Sequence, residues 1–208
     1  MREFGRAEMR EAVWLPATRK FIRERFGSEY LGREVRLTPT TNLFLNDIRP
    51  KELNIVHGAT GSGKSVSAAF RIARNIAAGY KICAYVKATD LSLLIGRGGY
   101  LTQKKEEDLE TLKTAPWVVV DDLGAEVCSD HFRELFFHLV DAWAGRGITG
   151  IFITNTKPRD VWPERYGART WSRIQGWSNS SFLETKDPDF RVQRGLLEQY
   201  PIGGKIAV

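Results

Sequence analysis

Cysteine is scarce in this chain: only Cys83 and Cys128 occur among 208 residues, far apart and in no metal-ligand spacing. A zinc site or a disulfide framework is therefore not expected, and both read as buried thiols. Long apolar runs are also lacking. None reaches the roughly 18 residues that cross a bilayer, and the opening MREFGRAEMREAVW has no apolar stretch of the kind a secretory signal carries. A cytoplasmic protein without membrane association is expected. Low-complexity tracts, internal repeats and long linkers are missing as well. Acidic residues are in deficit, 25 against 31 Lys and Arg, giving a net charge of +6 and a pI near 9.4. That balance suits a polyanionic partner without requiring one. What remains, 42% hydrophobic and 27% charged residues, fits one globular domain with a sizeable core.

Residues 53–57, LNIVH, read as a short buried strand that runs into GATGSGKS, Gly58 to Ser65, followed by the helix-forming VSAAFRIARNIAA. This is G-x-x-x-x-G-K-[ST] in its strand–loop–helix context. The residues Gly58, Ala59, Thr60, Gly61, Ser62, Gly63, Lys64, Ser65 and Val66 are the candidate cofactor-binding set. Glycines let backbone amides curl around phosphate oxygens, the helix N-terminus adds its positive end, and Lys64 supplies a point charge. Ser65 is placed to put its hydroxyl on a magnesium ion. ATP and Mg2+ are the expected ligands.

A second feature is WVVVDDLGAE, residues 117–126, where an apolar run ends in two adjacent carboxylates. Burying such charges is costly unless a metal ion, a basic group or a catalytic water partners them. Asp121 is the expected second magnesium ligand, and Asp122 is free to polarise the water that attacks the γ-phosphate. Its side chain is shorter than the glutamate usual in that role, and capping of the next helix or pairing with a neighbouring base is its plainer alternative. About thirty residues on, GITGIFITN ends in Asn155. In a parallel sheet such strand ends share one edge, so Asn155 is expected to sense the water or the γ-phosphate.

The remaining periodicity predicts a strand at 80–86, a short helix at 90–95, a polar helix at 104–113 and a strand at 147–155. A Ser-capped helix at 129–145 carries the core stripe Phe132, Leu135, Phe136, Leu139, Val140 and Trp143. A helix near 163–175 and a last strand around 180–185 complete the chain. Alternating strands and helices mean an α/β fold with a parallel sheet covered on both faces.

Together GATGSGKS, VVVDDLGAE, FITN, WSRI and KDPDFR, spread over residues 42–192, resemble the AAA+ ATPases, and among them the DnaC/DnaI helicase loaders and IstB transposition helpers. The resemblance implies a P-loop NTPase core at 42–192 with a five-stranded parallel sheet flanked by helices and no C-terminal helical lid. Residues 1–41 are then a short N-terminal segment and 193–208 a C-terminal tail. By similarity, Arg173 of WSRI is the arginine finger acting in trans, with Arg169 as the alternative, and Arg191 is a second phosphate-sensing arginine. Hydrolysis then requires self-association through the ATP site, because an arginine finger is worth about 10³ to 10⁵ in rate.

Loaders of this kind act with a hexameric replicative helicase and single-stranded DNA in DNA replication. The corresponding DNA path is Lys87, Arg97 and Tyr100, in a glycine-hinged segment suited to phosphate contact and base stacking, with Ser129, His131 and Arg133 beside it. A second basic and aromatic stretch, 157–177, is expected to pack at a subunit interface. The sequence departs from the loaders before the sheet, where only about 40 residues stand and none is cysteine. Phe21, Ile22 and Phe26 give that segment an amphipathic helix that either docks a partner or folds back on the core. The brevity suggests a phage or mobile-element version. An IstB-like transposition helper, a small nucleotide kinase and a non-hydrolysing adaptor are the alternative functions. The kinase leaves Asp122 and Asn155 unexplained.

Overall fold

The computed structural model describes residues 16–77, 83–94, 103–177 and 180–206. Along the chain run α1 (Pro16–Arg25), β1 (Glu34–Arg36), α2 (Pro39–Asn46), β2 (Leu53–Gly58), α3 (Lys64–Ala77), β3 (Cys83–Lys87) and α4 (Ala88–Leu94). Then follow α5 (Gln103–Thr114), β4 (Trp117–Leu123), α6 (Asp130–Arg146), β5 (Thr149–Thr154), α7 (Pro158–Tyr166), α8 (Ala168–Gly176), β6 (Ser181–Thr185), α9 (Arg194–Glu198) and β7 (Ile202–Lys205). Two compact units divide them: the stretch to Ile48 with Ala59–Cys83 and Thr185 onward, and Arg49–Gly58 with Ala84–Glu184.

The second unit is built on a five-stranded sheet of order β3-β4-β5-β2-β6. Central β5 pairs in parallel with β2, Ile55 opposite Phe152, and with β4, Val120 opposite Phe152. Burial on both faces explains the near-continuous apolar runs of these strands. Asn54 is the polar exception inside β2. It is fully buried, and its amide accepts from Arg49 N and donates to the carbonyls of Arg49, Glu52 and Gly150, so no polar atom is stranded. Along β4 the register slips. Two steps on β5, Phe152 to Thr154, face three on β4, Val120 to Leu123. This bulge falls on Asp121 and Asp122 and turns the chain away from the ladder where the carboxylates stand.

α6 begins where the sequence predicts. The Ser129 hydroxyl accepts from Phe132 N at 3.2 Å, and Gly147 ends the helix at φ 59°, a left-handed conformation that suits glycine. Phe132, Phe136, Leu139, Val140 and Trp143 are buried, with Leu135 packed at the margin of the same cluster. One expectation fails: the single helix over 163–175 is two helices, α7 and α8, parted at Gly167 with φ 85°. Pro163 lies inside α7 and has no N–H to extend the helical ladder, which favours a short element before the break. The aromatics expected at a subunit interface are likewise core. Trp162, Tyr166 and Trp177 are 2% exposed or less, Tyr166 lies 4.9 Å from Phe136 and Trp177 lies 6.3 Å from Trp143. Buried aromatics and interface aromatics have the same composition, and only the neighbours separate them.

In the first unit α1 and α2 pack on α3. Ile22 and Phe26 are buried, which turns the apolar face of α1 inward; burying each is worth about 1.5–3 kcal/mol. Thr38 caps α2 through Thr41 N, with Pro39 in the first turn, and the Arg71 guanidinium of α3 donates to Leu45 O at 2.7 Å. β1 and β7 form a two-stranded antiparallel ribbon. Cys83 is a buried free thiol, as expected, whereas Cys128, also free, is only half-buried.

Candidate functional site

The glycine-rich segment forms a loop between the end of β2 and the first turn of α3. Gly58, Gly61 and Gly63 have φ of 146°, 76° and 88°, which side-chain-bearing residues rarely adopt. Gly61 has a second constraint, because a Cβ there would overlap the Asp189 carboxylate. The segment after β6 holds the loop from that side. Phe190 N donates to Gly61 O at 3.1 Å, and the Ser62 and Thr185 hydroxyls bond at 3.2 Å. Lys64 is 6% exposed, and its ammonium donates to Ala59 O at 2.7 Å and Ser62 Oγ at 3.3 Å. Those carbonyl and hydroxyl oxygens occupy the cation in the way phosphate oxygens can. Ala59 and Thr60 are exposed, and Ser65 and Val66 are half-buried at the start of α3.

Beside the loop lies a cavity of about 460 Å³, lined by Gly61, Gly63, Lys64, Ser65 and Val66 on one side and by Phe190, Arg191, Arg194 and Leu197 on another. Its size falls in the range of small-molecule sites. Arg191 lines it as an exposed residue whose backbone N–H is taken by Asp189.

The acidic strand end is assembled from separate segments. Asp121 is 1% exposed; Tyr85 of β3 donates its hydroxyl to Oδ2 at 2.8 Å, and Asp122 N donates to Oδ1 at 2.9 Å. Asp122 is half-buried and takes φ 56°, an uncommon conformation for a residue with a side chain and one that collects at functional positions. Its Oδ1 lies 3.4 Å from Asn155 Nδ2, and Asn155 is exposed at the end of β5. The plainer expectation for Asp122, capping of the next helix, is met by Ser129 instead.

Glu126 is the residue that sequence reasoning missed here. Its side chain is fully buried and accepts from Gly124 N at 2.8 Å, Arg165 Nε at 2.9 Å and Tyr166 Oη at 3.0 Å. Thr154 donates to Leu123 O at 2.5 Å. The loop after Asp122 is thus tied to β5 and α7 by side chains remote in sequence. Burial, and then the Glu126 charge, push the Tyr166 hydroxyl pKa upward, so it stays a donor.

Other expected residues have more ordinary surroundings. Arg173 on α8 is exposed and ion-paired with Asp141 of α6 in the same chain, and the Arg169 guanidinium stacks 4.0 Å over Phe137. Ser129 is occupied as a cap, Arg133 donates to Arg165 O at 2.9 Å and pairs with Asp130, and His131 and Lys87 are exposed. Arg97 and Tyr100 lie outside the described residues.

Magnesium takes hard oxygen donors and keeps waters and substrate phosphates around it, so one hydroxyl and one carboxylate are a sufficient protein share. Each unit offers a donor of that kind by itself, the half-buried Ser65 hydroxyl in the first and the buried Asp121 carboxylate in the second. Among the described residues no cluster of three or more His, Cys, Asp or Glu suggests a self-sufficient metal site.

A parallel sheet flanked by helices, with a glycine-rich phosphate loop leading from strand to helix, is the P-loop NTPase fold in its AAA+ form. Solved structures narrow the likeness. The DnaC helicase loader matches at 25% identity and TM-score 0.53 over 71% of this chain and 86% of that one. DnaI matches at 20% and 0.54 over 72% and 80%. The replication initiator DnaA bound to AMPPCP and single-stranded DNA matches at 16% and 0.58 over 83% and 55%. The resemblance to helicase loaders carried by the motifs is thus met again in the fold. No family model and no curated protein matches the chain. Among the described residues, β6 is followed by α9 and β7 and not by a helical bundle, and no helix is long and apolar enough to cross a membrane.

Proposed function

We propose that this chain binds and hydrolyses ATP in assemblies of its own copies and uses that cycle to load a hexameric replicative helicase onto single-stranded DNA. The observation that carries the reading is the glycine-rich loop itself: three glycines at positive φ, and a buried lysine donating to the loop's own oxygens beside a cavity. Residues 58–66 then hold the phosphates through backbone N–H groups and Lys64. Ser65 and Asp121 hold Mg2+, which supplies charge neutralisation at the phosphates. Asp122 orients a water and takes its proton as the water oxygen bonds to the γ-phosphorus and the bond to ADP breaks. Asn155 steadies that carboxylate. Arg191 acts on the phosphates of its own chain, and Arg173 exchanges Asp141 for a neighbour's γ-phosphate. The solved neighbours, a helicase loader and an initiator holding AMPPCP with single-stranded DNA, support the substrate and the partners.

Equilibrium binding of ATP and steady-state turnover test the reading. Lys64→Ala should weaken ATP binding by about a hundredfold or more, given the strength of charge-assisted phosphate contacts. Asp122→Asn should bind and fail to turn over. Arg173→Ala should bind and hydrolyse slowly, and mixing it with Lys64→Ala should restore part of the activity. Single-stranded oligonucleotide should bind more tightly with ATP than with ADP, and more weakly as salt rises. Preference for duplex DNA, or co-purification with a transposase in place of a ring helicase, would move the transposition helper ahead.

A further inference from the structure

We propose that residues 190–205 form the closing wall of the nucleotide cavity, and that Arg194 is a nucleotide-contacting residue which this wall presents. The inference rests on the nucleotide-binding reading above and extends it to a segment outside the phosphate motifs.

The charges of the cavity lining come first. Arg33, Arg36, Lys64, Arg191 and Arg194 line it, against Glu34 and Glu198, so five positive side chains face two negative ones, a surplus of three. Such a lining favours an anion with several charges, and the phosphate loop forms one of its sides. Two of these cations already have partners. Lys64 is turned onto its own loop, and the Arg36 guanidinium donates to Glu198 O at 2.9 Å and Tyr200 O at 2.8 Å. Arg194 differs, because among the described residues its guanidinium has no hydrogen bond or ion pair, and it stands exposed in the first turn of α9. A cation on a cavity wall without a counter-charge is available to an anionic ligand.

The wall is fastened at both ends. At its start, Phe190 N bonds to Gly61 O of the phosphate loop. At its far end, β7 pairs with β1, Val35 opposite Gly204, and the ribbon is extended by Leu37 N to Pro201 O at 2.8 Å and Ile206 N to Arg33 O at 2.9 Å. Between the two, Phe190 and Tyr200 meet edge to face at 6.0 Å, and Arg36 staples the carbonyls at the end of α9. The segment therefore spans from the phosphate loop to β1 along one side of the cavity. A ligand touching both the loop and this wall must stabilise the ribbon, and the ribbon must stabilise the ligand, because the two equilibria are linked.

The test uses the full chain, ATP with magnesium, and two readouts: the dissociation constant and backbone hydrogen exchange. ATP should slow exchange at the paired amides of residues 33–37 and 202–206. Arg194→Ala should weaken ATP binding about tenfold, the loss expected for one charge-assisted contact, and Arg194→Lys should recover part of it. Gly203→Val lies off the cavity lining. Its added bulk meets the Leu37 side chain, so it should open the ribbon and weaken ATP binding without removing any lining group. If the wild type binds ATP in a Lys64-dependent way while both variants bind equally well and ribbon exchange is unchanged, the closing wall is wrong and the nucleotide reading stands. If ATP binding is absent or indifferent to Lys64→Ala, both fall together.

Discussion

The phosphate loop and the acidic strand end carry comparable chemistry and are built in opposite ways. The loop is local: residues 58–66 provide the glycines, the lysine and the helix start, and Lys64 finds its oxygens two and five residues away. The strand end is collected from Tyr85, Asp121, Asp122, Glu126, Thr154, Asn155 and Arg165, spread over three strands, two loops and one helix. A site made of contiguous residues can be lost without unfolding its surroundings. A site made of distant residues is part of the packing, so changing it costs stability first.

The largest effect expected from this contrast is that of Glu126→Ala. It leaves Arg165 without its carboxylate and strands Tyr166 Oη and Gly124 N, which should cost about 3–5 kcal/mol in denaturant unfolding, the usual penalty for breaking a buried pair. Lys64→Ala should cost less, about 1–3 kcal/mol, since it gives up two hydrogen bonds within one loop. Equal losses for these variants would break the comparison. Tyr85→Phe comes next. It takes a donor from a buried carboxylate and should cost about 1–3 kcal/mol, with altered magnesium dependence of ATP binding if Asp121 is the metal ligand.

Asp122→Gly sharpens the contrast in the other direction. Glycine accepts φ 56° without the Cβ penalty, so thermal unfolding should show a gain of about 0.5–1 kcal/mol while ATP turnover disappears. A loss of stability would mean that the Asp122–Asn155 contact outweighs the backbone strain.

The smallest effect concerns pH. Burial pushes the Cys83 thiol up to about 12, whereas in the unfolded chain a thiol ionises near its ordinary value of about 8.5. Between those values the folded protein holds the proton that the unfolded chain has released. Stability is then complete below about pH 8.5 and falls as pH rises, by about 0.8 kcal/mol near pH 9. Cys83→Ala should flatten that slope in unfolding curves between pH 8 and 10. Tyr166, shifted in the same direction, should steepen it above the range where free tyrosine ionises.

Much of this was legible in the residues. The phosphate motif, the five strands, the Ser129 cap and the stripe of α6 all depend on neighbours within one helical turn or on period-two burial, and such patterns survive in one dimension. Gly167 and Pro163 were legible too, as breakers of a helix, yet the hydrophobic spacing across 163–175 concealed them. The stretch 157–177 misled for a different reason. Trp162, Tyr166 and Trp177 have the composition of an interface, and their burial follows from Phe136, Trp143 and Phe152, residues on other elements.

By itself the sequence determined a phosphate loop, an α/β alternation and two carboxylates at a strand end, because each is a property of adjacent residues and of the backbone conformations they allow. Only the tertiary structure decided that the bulge of β4 falls on those carboxylates, that Glu126 is buried against Arg165 and Tyr166, and that β7 returns to β1 beside the loop. These are pairings between residues dozens of positions apart. They are selected by which contacts can be satisfied at once in a packed interior, a condition that a linear pattern does not record.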